Sequence, residues 1–293
     1  MSVLRVVKSV RELQALADSE RAAGRRIALV PTMGALHAGH LSMIGEARRR
    51  ADRVWVSIFV NPAQFDQAVD LEAYPRTLGP DLERCGEAGV DVVFIPDAAE
   101  LYPPGSQTWV EVDALTEPLC GRARPGHFRG VTTVVAKLLL AAKPHVAVFG
   151  EKDYQQLAVI RRMASDLGFD TEIVSAPTAR EADGLALSSR NANLDPEARG
   201  QATALVRALD AAERAVAAGE ADAGRLLELV NAEIAQAPCA RVDYAELRDP
   251  DSLAAAPACL TGPVLLALAV WFAPAEGREG ASVRLIDNRV LRP

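Results

Sequence analysis

The sequence predicts an α/β fold: a doubly wound, Rossmann-like parallel sheet followed by a smaller C-terminal α+β domain. Two patterns carry this prediction. In the first part of the chain, short and mostly apolar runs at 27–30, 54–60, 91–95, 146–149 and 171–174 alternate with helical stripes. Runs without polar alternation suit strands covered on both faces of a parallel sheet. After Pro177 the texture changes, and two Ala/Leu-rich helices lead into consecutive strand-like runs. Helices followed by strands, without alternation, mark a separate α+β unit. The boundary is therefore placed at 178, giving domains 1–178 and 179–293.

Length and composition agree with that division. A chain of 293 residues that is 49% apolar can fill two cores. The net charge of −7 disfavours a nucleic-acid binder and leaves anionic substrates to local basic residues. Cys85, Cys120, Cys239 and Cys259 are scattered without a Cys-x-x-Cys pair, which fits idle thiols in a reducing cytosol. The N-terminus has no signal-like apolar core. The apolar run at 264–273 is half a membrane span, so it reads as a buried strand. The expectation is a soluble, cytoplasmic protein with no membrane partner.

Taken in order, Ser9-x-x-Glu12 is a capping box that opens a helix closed by Gly24. The strand at 27–30 then runs into Pro31-Thr32-Met33-Gly34-Ala35-Leu36-His37-Ala38-Gly39-His40, followed by a helical face of Leu41, Ile44 and Ala47. Strand, glycine turn and helix start aim free backbone N–H groups and a positive dipole end above the strand tip, where phosphate is the usual occupant. Gly34 and Gly39 have Walker A spacing, but no Gly-Lys-Ser/Thr follows, and the Rossmann Gly-x-Gly-x-x-Gly is absent. His37 and His40 admit three readings. They are a poor metal pair, being three apart with no third ligand nearby. They could be solvated helix-start residues. As donors to a nucleotide phosphate they could give a hydrogen bond or a proton, and the coincidence with the turn glycines favours this third reading.

The run at 54–60 ends in Asn61-Pro62-Ala63-Gln64-Phe65, where Asn61 and Gln64 stand at a strand tip, the place at which open α/β sheets bind ligands. A helix around 81–88, closed by Gly89, leads to the third strand. A short strand is expected at 108–112. Arg122, Arg124, His127 and Arg129 make a basic loop suited to a triphosphate, and a helix follows with Val131, Val134, Val135, Leu138 and Leu139 on one face. The fourth strand tip is Gly150-Glu151-Lys152-Asp153. There Lys152 is a phosphate candidate, Gln156 points the same way one turn on, and Leu157, Ile160 and Leu167 face inward. The polar segment 184–191 is linker-like, and Asp195-Pro196 caps the next helix. These residues supply cations, donors and amides, the equipment for in-line displacement at phosphorus.

Several motifs carry a resemblance. His37-Ala38-Gly39-His40 is similar to the His-x-Gly-His signature of nucleotidyltransferases and class I aminoacyl-tRNA synthetases. The longer run 31–40 resembles one branch only, the pantothenate synthetases. Phe-Val-Asn-Pro-x-Gln-Phe (59–65), Tyr-Pro-Arg (74–76), Arg-Pro-Gly-His-Phe-Arg-Gly-Val (124–131), Phe-Gly-Glu-Lys-Asp-Tyr-Gln-Gln-Leu (149–157) and Gly-Leu-Ala-Leu-Ser-Ser-Arg-Asn (184–191) resemble that family in its order. The resemblance implies a ligase in which ATP and pantoate form pantoyl adenylate and β-alanine then displaces AMP. It implies ATP contacts from Met33, Gly34, Ala35, Leu36, His37, Ala38, Gly39 and His40, with His40 as proton donor. Gly150, Glu151, Lys152, Asp153, Ala179, Leu187, Ser188, Ser189 and Arg190 complete the nucleotide site. His37, Lys152 and Arg190 join His40 as the catalytic set. Gln64 and Gln156 would hold pantoate, with Asn61, Arg124 and His127 counted among the substrate-binding residues. Mg²⁺ would accompany ATP, and a homodimer is implied.

Two positions depart from the family. Leu78-Gly79-Pro80 precedes a single acid, Asp81, where the family often has several acidic residues, so Asp81 alone stands as the metal candidate. Ala179 replaces a common valine. Three rivals stay open: a nucleotidyltransferase acting on a phosphorylated substrate, a tRNA-binding synthetase fragment and a non-catalytic nucleotide sensor.

Overall fold

The computed structural model describes residues 4–65, 71–72, 74–274 and 280–293. The chain divides into two compact units. The first runs through Glu151 and resumes over Gln155–Pro177, while the second takes Lys152–Tyr154 and Thr178–Pro293.

The first unit is built on a six-stranded parallel sheet of β1 (Arg5–Val7), β2 (Ile27–Thr32), β3 (Arg53–Ile58), β4 (Val92–Phe94), β5 (Val146–Gly150) and β6 (Glu172–Ala176). Its order is β1-β4-β3-β2-β5-β6. Every pairing is parallel, with Thr32 opposite Ile58 and Gly150 opposite Ala176. The order reverses direction between β2 and β5, so their carboxyl ends flank a topological switch point. The central strands are buried along nearly their whole length, which is why their sequences carry no polar alternation.

Helix α1 (Val10–Ala22) begins as expected, with Ser9 Oγ accepting from the Glu12 N–H at 3.1 Å. Helix α2 (Ala38–Arg50) buries Ile44 and Ala47, but Leu41 in its first turn is exposed. Leu167, expected inward, lies just beyond the helix Tyr154–Asp166 and is also exposed, because the helical stripe ends before it. The expected strand at 108–112 is not formed. The Val110 N–H donates to Thr133 Oγ1 at 3.0 Å and its carbonyl accepts from Thr132 Oγ1 at 2.6 Å. Side chains of the helix His127–Ala142 thus take the hydrogen bonds that a neighbouring strand would have taken.

The second unit packs helices Ala204–Ala217 and Ala223–Ala235 with an antiparallel sheet, β7 (Ala240–Arg248), β8 (Val264–Phe272) and β9 (Val283–Leu291), in the order β7-β8-β9. Leu205, Leu209, Val230, Leu266, Leu268 and Phe272 lie in its core. β8 is the central strand and almost wholly buried, as the apolar run at 264–273 requires. Among the described residues, no helix is long and apolar enough to cross a membrane.

Candidate functional site

The turn between β2 and α2 is shaped from below. Gly34 has φ +84°, and a Cβ there would lie 3.1 Å from both Asp81 Oδ2 and Ile58 Cγ2, so only glycine fits without displacement. Ala35 follows at φ +49°, a left-handed conformation that costs an alanine about 1–2 kcal/mol. The buried Asp81 carboxylate holds it there: Oδ2 accepts the Ala35 N–H at 2.9 Å and Oδ1 the Leu36 N–H at 2.8 Å. Hydrogen bonds to a charged group are worth about 1.5–3 kcal/mol each, so two outweigh the strain. Thr32 Oγ1 accepts the Gly34 N–H and donates to the Ser57 carbonyl, tying the turn to β3.

The two histidines continue the same accounting. His37 is the N-cap of α2, and its Nδ1 accepts the Gly39 N–H at 3.2 Å. His40 Nδ1 accepts the His37 N–H, also at 3.2 Å, and the ring centroids are 4.1 Å apart. A backbone N–H can only donate, so both Nδ1 atoms are unprotonated and each neutral ring carries its proton on Nε2. The His40 N–H goes to the His37 carbonyl. The expected cradle of free amides is therefore not what forms. The N–H groups of Gly34, Ala35, Leu36, His37, Gly39 and His40 all donate within the protein. What the turn leaves for an anion is its side chains and the α2 dipole.

At the tip of β3, Pro62–Gln64 form a single helical turn. Asn61 is 1% exposed, and its amide donates to Gln64 Oε1 and to the Gly130 carbonyl, both at 3.1 Å, while its Oδ1 accepts the Ala63 N–H. Gln64 Nε2 contacts Met33 Sδ at 3.0 Å, joining this turn to the histidine loop. Arg124 and His127 both reach the Gln64 carbonyl, at 3.3 and 2.8 Å. The basic loop thus supports Gln64 from behind.

At the tip of β5, Glu151 accepts from Ser175 Oγ at 2.8 Å. Gln156 is half-buried, whereas its neighbour Gln155, overlooked in the sequence, is buried and ties down the 115–120 segment through Leu115, Pro118 and Cys120. A glutamine four residues before Val159, on a buried face of that helix, was the available signal.

In the second unit, Lys152 Nζ lies 3.7 Å from Asp153, and the Lys152 carbonyl accepts from Asn288 Nδ2 at 2.8 Å. The 179–191 segment is firmly tied. The Ala179 carbonyl accepts the Leu187 N–H, and Arg180 makes two bonds to the buried Asp287 at 2.7 and 3.0 Å. Arg199 pairs with Glu181 and Asp183, and its guanidinium holds both carboxyls below their usual range. Asn191 donates to Glu181 and to the Ala186 carbonyl. Ser188 Oγ caps the short turn Ser189–Asn193, on which Arg190 is exposed. Sequence reading missed Asp287, Asn288 and Arg199, whose partners are distant in the chain.

No group of three or more His, Cys, Asp or Glu among the described residues is arranged to hold a metal ion. Both oxygens of Asp81 are already engaged by amides. The donor set does not fit a magnesium ion held by the protein alone.

Comparisons with known proteins agree across the whole chain. A family model described as pantoate-beta-alanine ligase matches residues 5–290. A pantothenate synthetase of Syntrophobacter fumaroxidans is 52% identical over 290 residues, covering 99% of each chain. One of Geobacter sulfurreducens is 50% identical over 98% of this chain and 99% of its own. The crystal structure of the pantothenate synthetase from Thermus thermophilus superposes with a TM-score of 0.90 at 42% identity, over 99% of this chain and 100% of that one. A Francisella tularensis pantoate-beta-alanine ligase, complexed with beta-gamma ATP and beta-alanine, gives 0.79 at 32% identity over 98% of each chain.

The support of Gln64 from behind makes Gly130 critical. A Cβ there would sit 2.2 Å from the Ala63 carbonyl oxygen, a backbone atom that cannot rotate away. Gly130→Ala is expected to lower unfolding stability by about 1–3 kcal/mol, the scale of overpacking a close contact. Gly86→Ala, in a helix with nothing within 4 Å, should keep or raise stability. Equal melting of the two variants would remove the close approach of helix and turn.

Proposed function

The chain belongs to the pantoate–β-alanine ligase family, and on that premise we propose that it condenses (R)-pantoate with β-alanine to pantothenate, consuming ATP. The observation that carries this reading is the pair of imidazoles at the switch point, each ring's Nδ1 occupied by a backbone N–H and its proton thereby on Nε2. A pantoate carboxylate oxygen bonds to the α-phosphorus as the bond to the bridging oxygen breaks, and pyrophosphate leaves. The amine of β-alanine then attacks the acyl carbon of pantoyl adenylate, AMP leaves with the carboxylate oxygen, and the nitrogen loses its extra proton.

In this reading His37 and His40 act as neutral Nε2–H donors to phosphate oxygens. Donating a full proton from Nε2 would leave an imidazolate, and a ring charged beforehand would lose its Nδ1 acceptor. This favours hydrogen bonding over the proton transfer that the resemblance implies for His40. Lys152 and Arg190 supply positive charge to the phosphates, with Gly150, Glu151, Asp153, Ala179, Leu187, Ser188 and Ser189 lining the nucleotide. Gln64 and Gln156 hold pantoate, and Asn61, Arg124 and His127 keep Gln64 in place. Residues 1–178 bind nucleotide and pantoate, and 179–293 act as the lid. Magnesium enters with ATP, coordinated by the phosphates, and Asp81 stays with its amides. The working form is a cytoplasmic homodimer, for which sedimentation at twice the chain mass is the check.

The function is tested by AMP release from ATP, pantoate and β-alanine, omitting each in turn; release that does not need both pantoate and β-alanine would refute it. Gln64→Ala and Gln156→Ala should weaken pantoate use far more than ATP binding, by about 1–3 kcal/mol for each bond left unmade. Equal losses for the two substrates would sink that assignment. Negative charge grows on the departing pyrophosphate only during adenylation, so Lys152→Ala should slow pantoate-dependent pyrophosphate exchange into ATP by about two orders of magnitude. Supplied with pre-formed pantoyl adenylate, the same variant should still make pantothenate with much less impairment. A similar fall in both half-reactions would remove Lys152 as a phosphate ligand.

A further inference from the structure

We propose that Asp81 is a positioning residue for the histidine pair, acting as the clamp that shapes the nucleotide loop rather than as a metal ligand. This rests on the reading of the loop as the ATP site. Asp81 lies in the first turn of the helix Leu78–Glu87 and is 1% exposed. A carboxylate buried to this degree must have its charge compensated, and here four groups do so. The Ala35 and Leu36 N–H groups donate to its two oxygens at 2.9 and 2.8 Å. Thr77 Oγ1 donates to Oδ2 at 3.1 Å, and an Arg84 guanidinium nitrogen lies 3.8 Å from Oδ1. That guanidinium also donates to the Leu36 carbonyl at 2.9 Å, so helix and loop are joined on both sides of one peptide unit.

The clamp decides where the histidines stand. Gly34 and Ala35 both have positive φ, which turns the chain sharply after β2 and brings His37 into extended backbone as the N-cap of α2. With the Ala35 and Leu36 amides directed to Asp81, the loop presents rings instead of N–H groups. The ring orientation rests on amide bonds of only 3.2 Å to each Nδ1, and those bonds hold only while the turn keeps its shape. Oδ2 already accepts two hydrogen bonds, and Oδ1 accepts one beside the Arg84 guanidinium, so a magnesium ion at Asp81 would compete with the clamp.

Two variants test this. Asp81→Asn keeps the size but replaces one acceptor oxygen with an NH₂ group that faces a backbone N–H. Arg84→Gln removes the bond to the Leu36 carbonyl and the positive charge 3.8 Å from Asp81 Oδ1 but leaves both amide bonds to Asp81, and its side chain is 45% exposed, so it serves if the first variant does not fold. Asp81→Asn should lower kcat for AMP release about 100-fold, the scale of displacing reacting groups by about an ångström. The KM for pantoate and the magnesium concentration for half-activation should not change. Arg84→Gln should move kcat in the same direction by less, with its melting temperature unchanged. With only four histidines in the chain, ¹⁵N spectra of the imidazoles give a readout independent of turnover. In the unmutated protein His37 and His40 should show unprotonated Nδ1 and protonated Nε2, and in Asp81→Asn these signals should move toward tautomer averaging.

The proposal is overturned if excess magnesium restores Asp81→Asn, if the ring signals stay in place, or if kcat is unaffected while they move. If the unmutated protein releases no AMP with pantoate and β-alanine, the assigned reaction fails. The imidazole spectra still decide the clamp in that case.

Discussion

The constraint on which the first unit depends is the reversal of strand order between β2 and β5. On one side of β2 lie β3, β4 and β1, whereas β5 and β6 extend the other. Connections that leave a parallel sheet in opposite directions cannot cover the space between them, so the carboxyl ends of β2 and β5 border an open crevice. Two of the motif-bearing segments begin at those ends: the histidine loop after Thr32, and the Gly150-Glu151 tip, which carries on into Lys152. The third, Asn61–Gln64, follows β3, next in the sheet, and Met33 Sδ links it to the first. Position in the sheet order places the histidine loop, the Asn61–Gln64 turn and the Gly150-Glu151 tip on one edge before any side-chain packing is considered.

What fills the edge is set by a second constraint, that buried amides must be paired. A glycine turn at a helix start ordinarily leaves N–H groups to a ligand, and here nearly all of them are already used. Asp81, Thr32 and the two Nδ1 atoms absorb the N–H groups of Gly34, Ala35, Leu36, His37 and Gly39. What the loop offers an anion is then the two imidazole Nε2–H groups rather than main-chain amides. Such side chains can be arranged around a developing charge without reshaping the main chain, which suits a displacement at phosphorus.

Much of the fold was legible because its signals are local. Strands buried on both faces read as apolar runs, and caps such as Ser9 and Asp195 announce helices through residues two or three positions away. The failures are non-local. β1 is three residues long and exists through its register with β4, so no periodicity reveals it. The 108–112 segment has strand composition, but its bonds go to Thr132 and Thr133, 22 and 23 residues away. The site divides in the same way. Histidines, glycines and the Gln64 turn are readable as residue types at a strand tip. That Asn61 is spent on holding Gln64, and Asp81 on amides 45 and 46 residues earlier, is written only in the folded chain.

Lys152 shows why a single domain boundary is too coarse a description. The sequence places it at the tip of β5, yet Lys152–Tyr154 pack with the second unit while Glu151 and Gln155 remain in the first. The chain therefore passes between units at 151/152 and 154/155 as well as at 177/178. Asn288 holds the Lys152 carbonyl across 136 residues of sequence, and its neighbour Asp287 holds Arg180 at the base of the 179–191 segment. Two adjacent residues of β9 thus anchor both the lysine and the loop that carries Ser188, Ser189 and Arg190. The cations of the second unit share one rigid strand as their reference, so their mutual spacing depends on the register of β9 against β8, with Asp287 opposite Leu268 and Asn288 opposite Ala267. A one-residue slip in that register would turn Asp287 out of the core and separate both anchors together, because alternate residues of a strand face opposite ways.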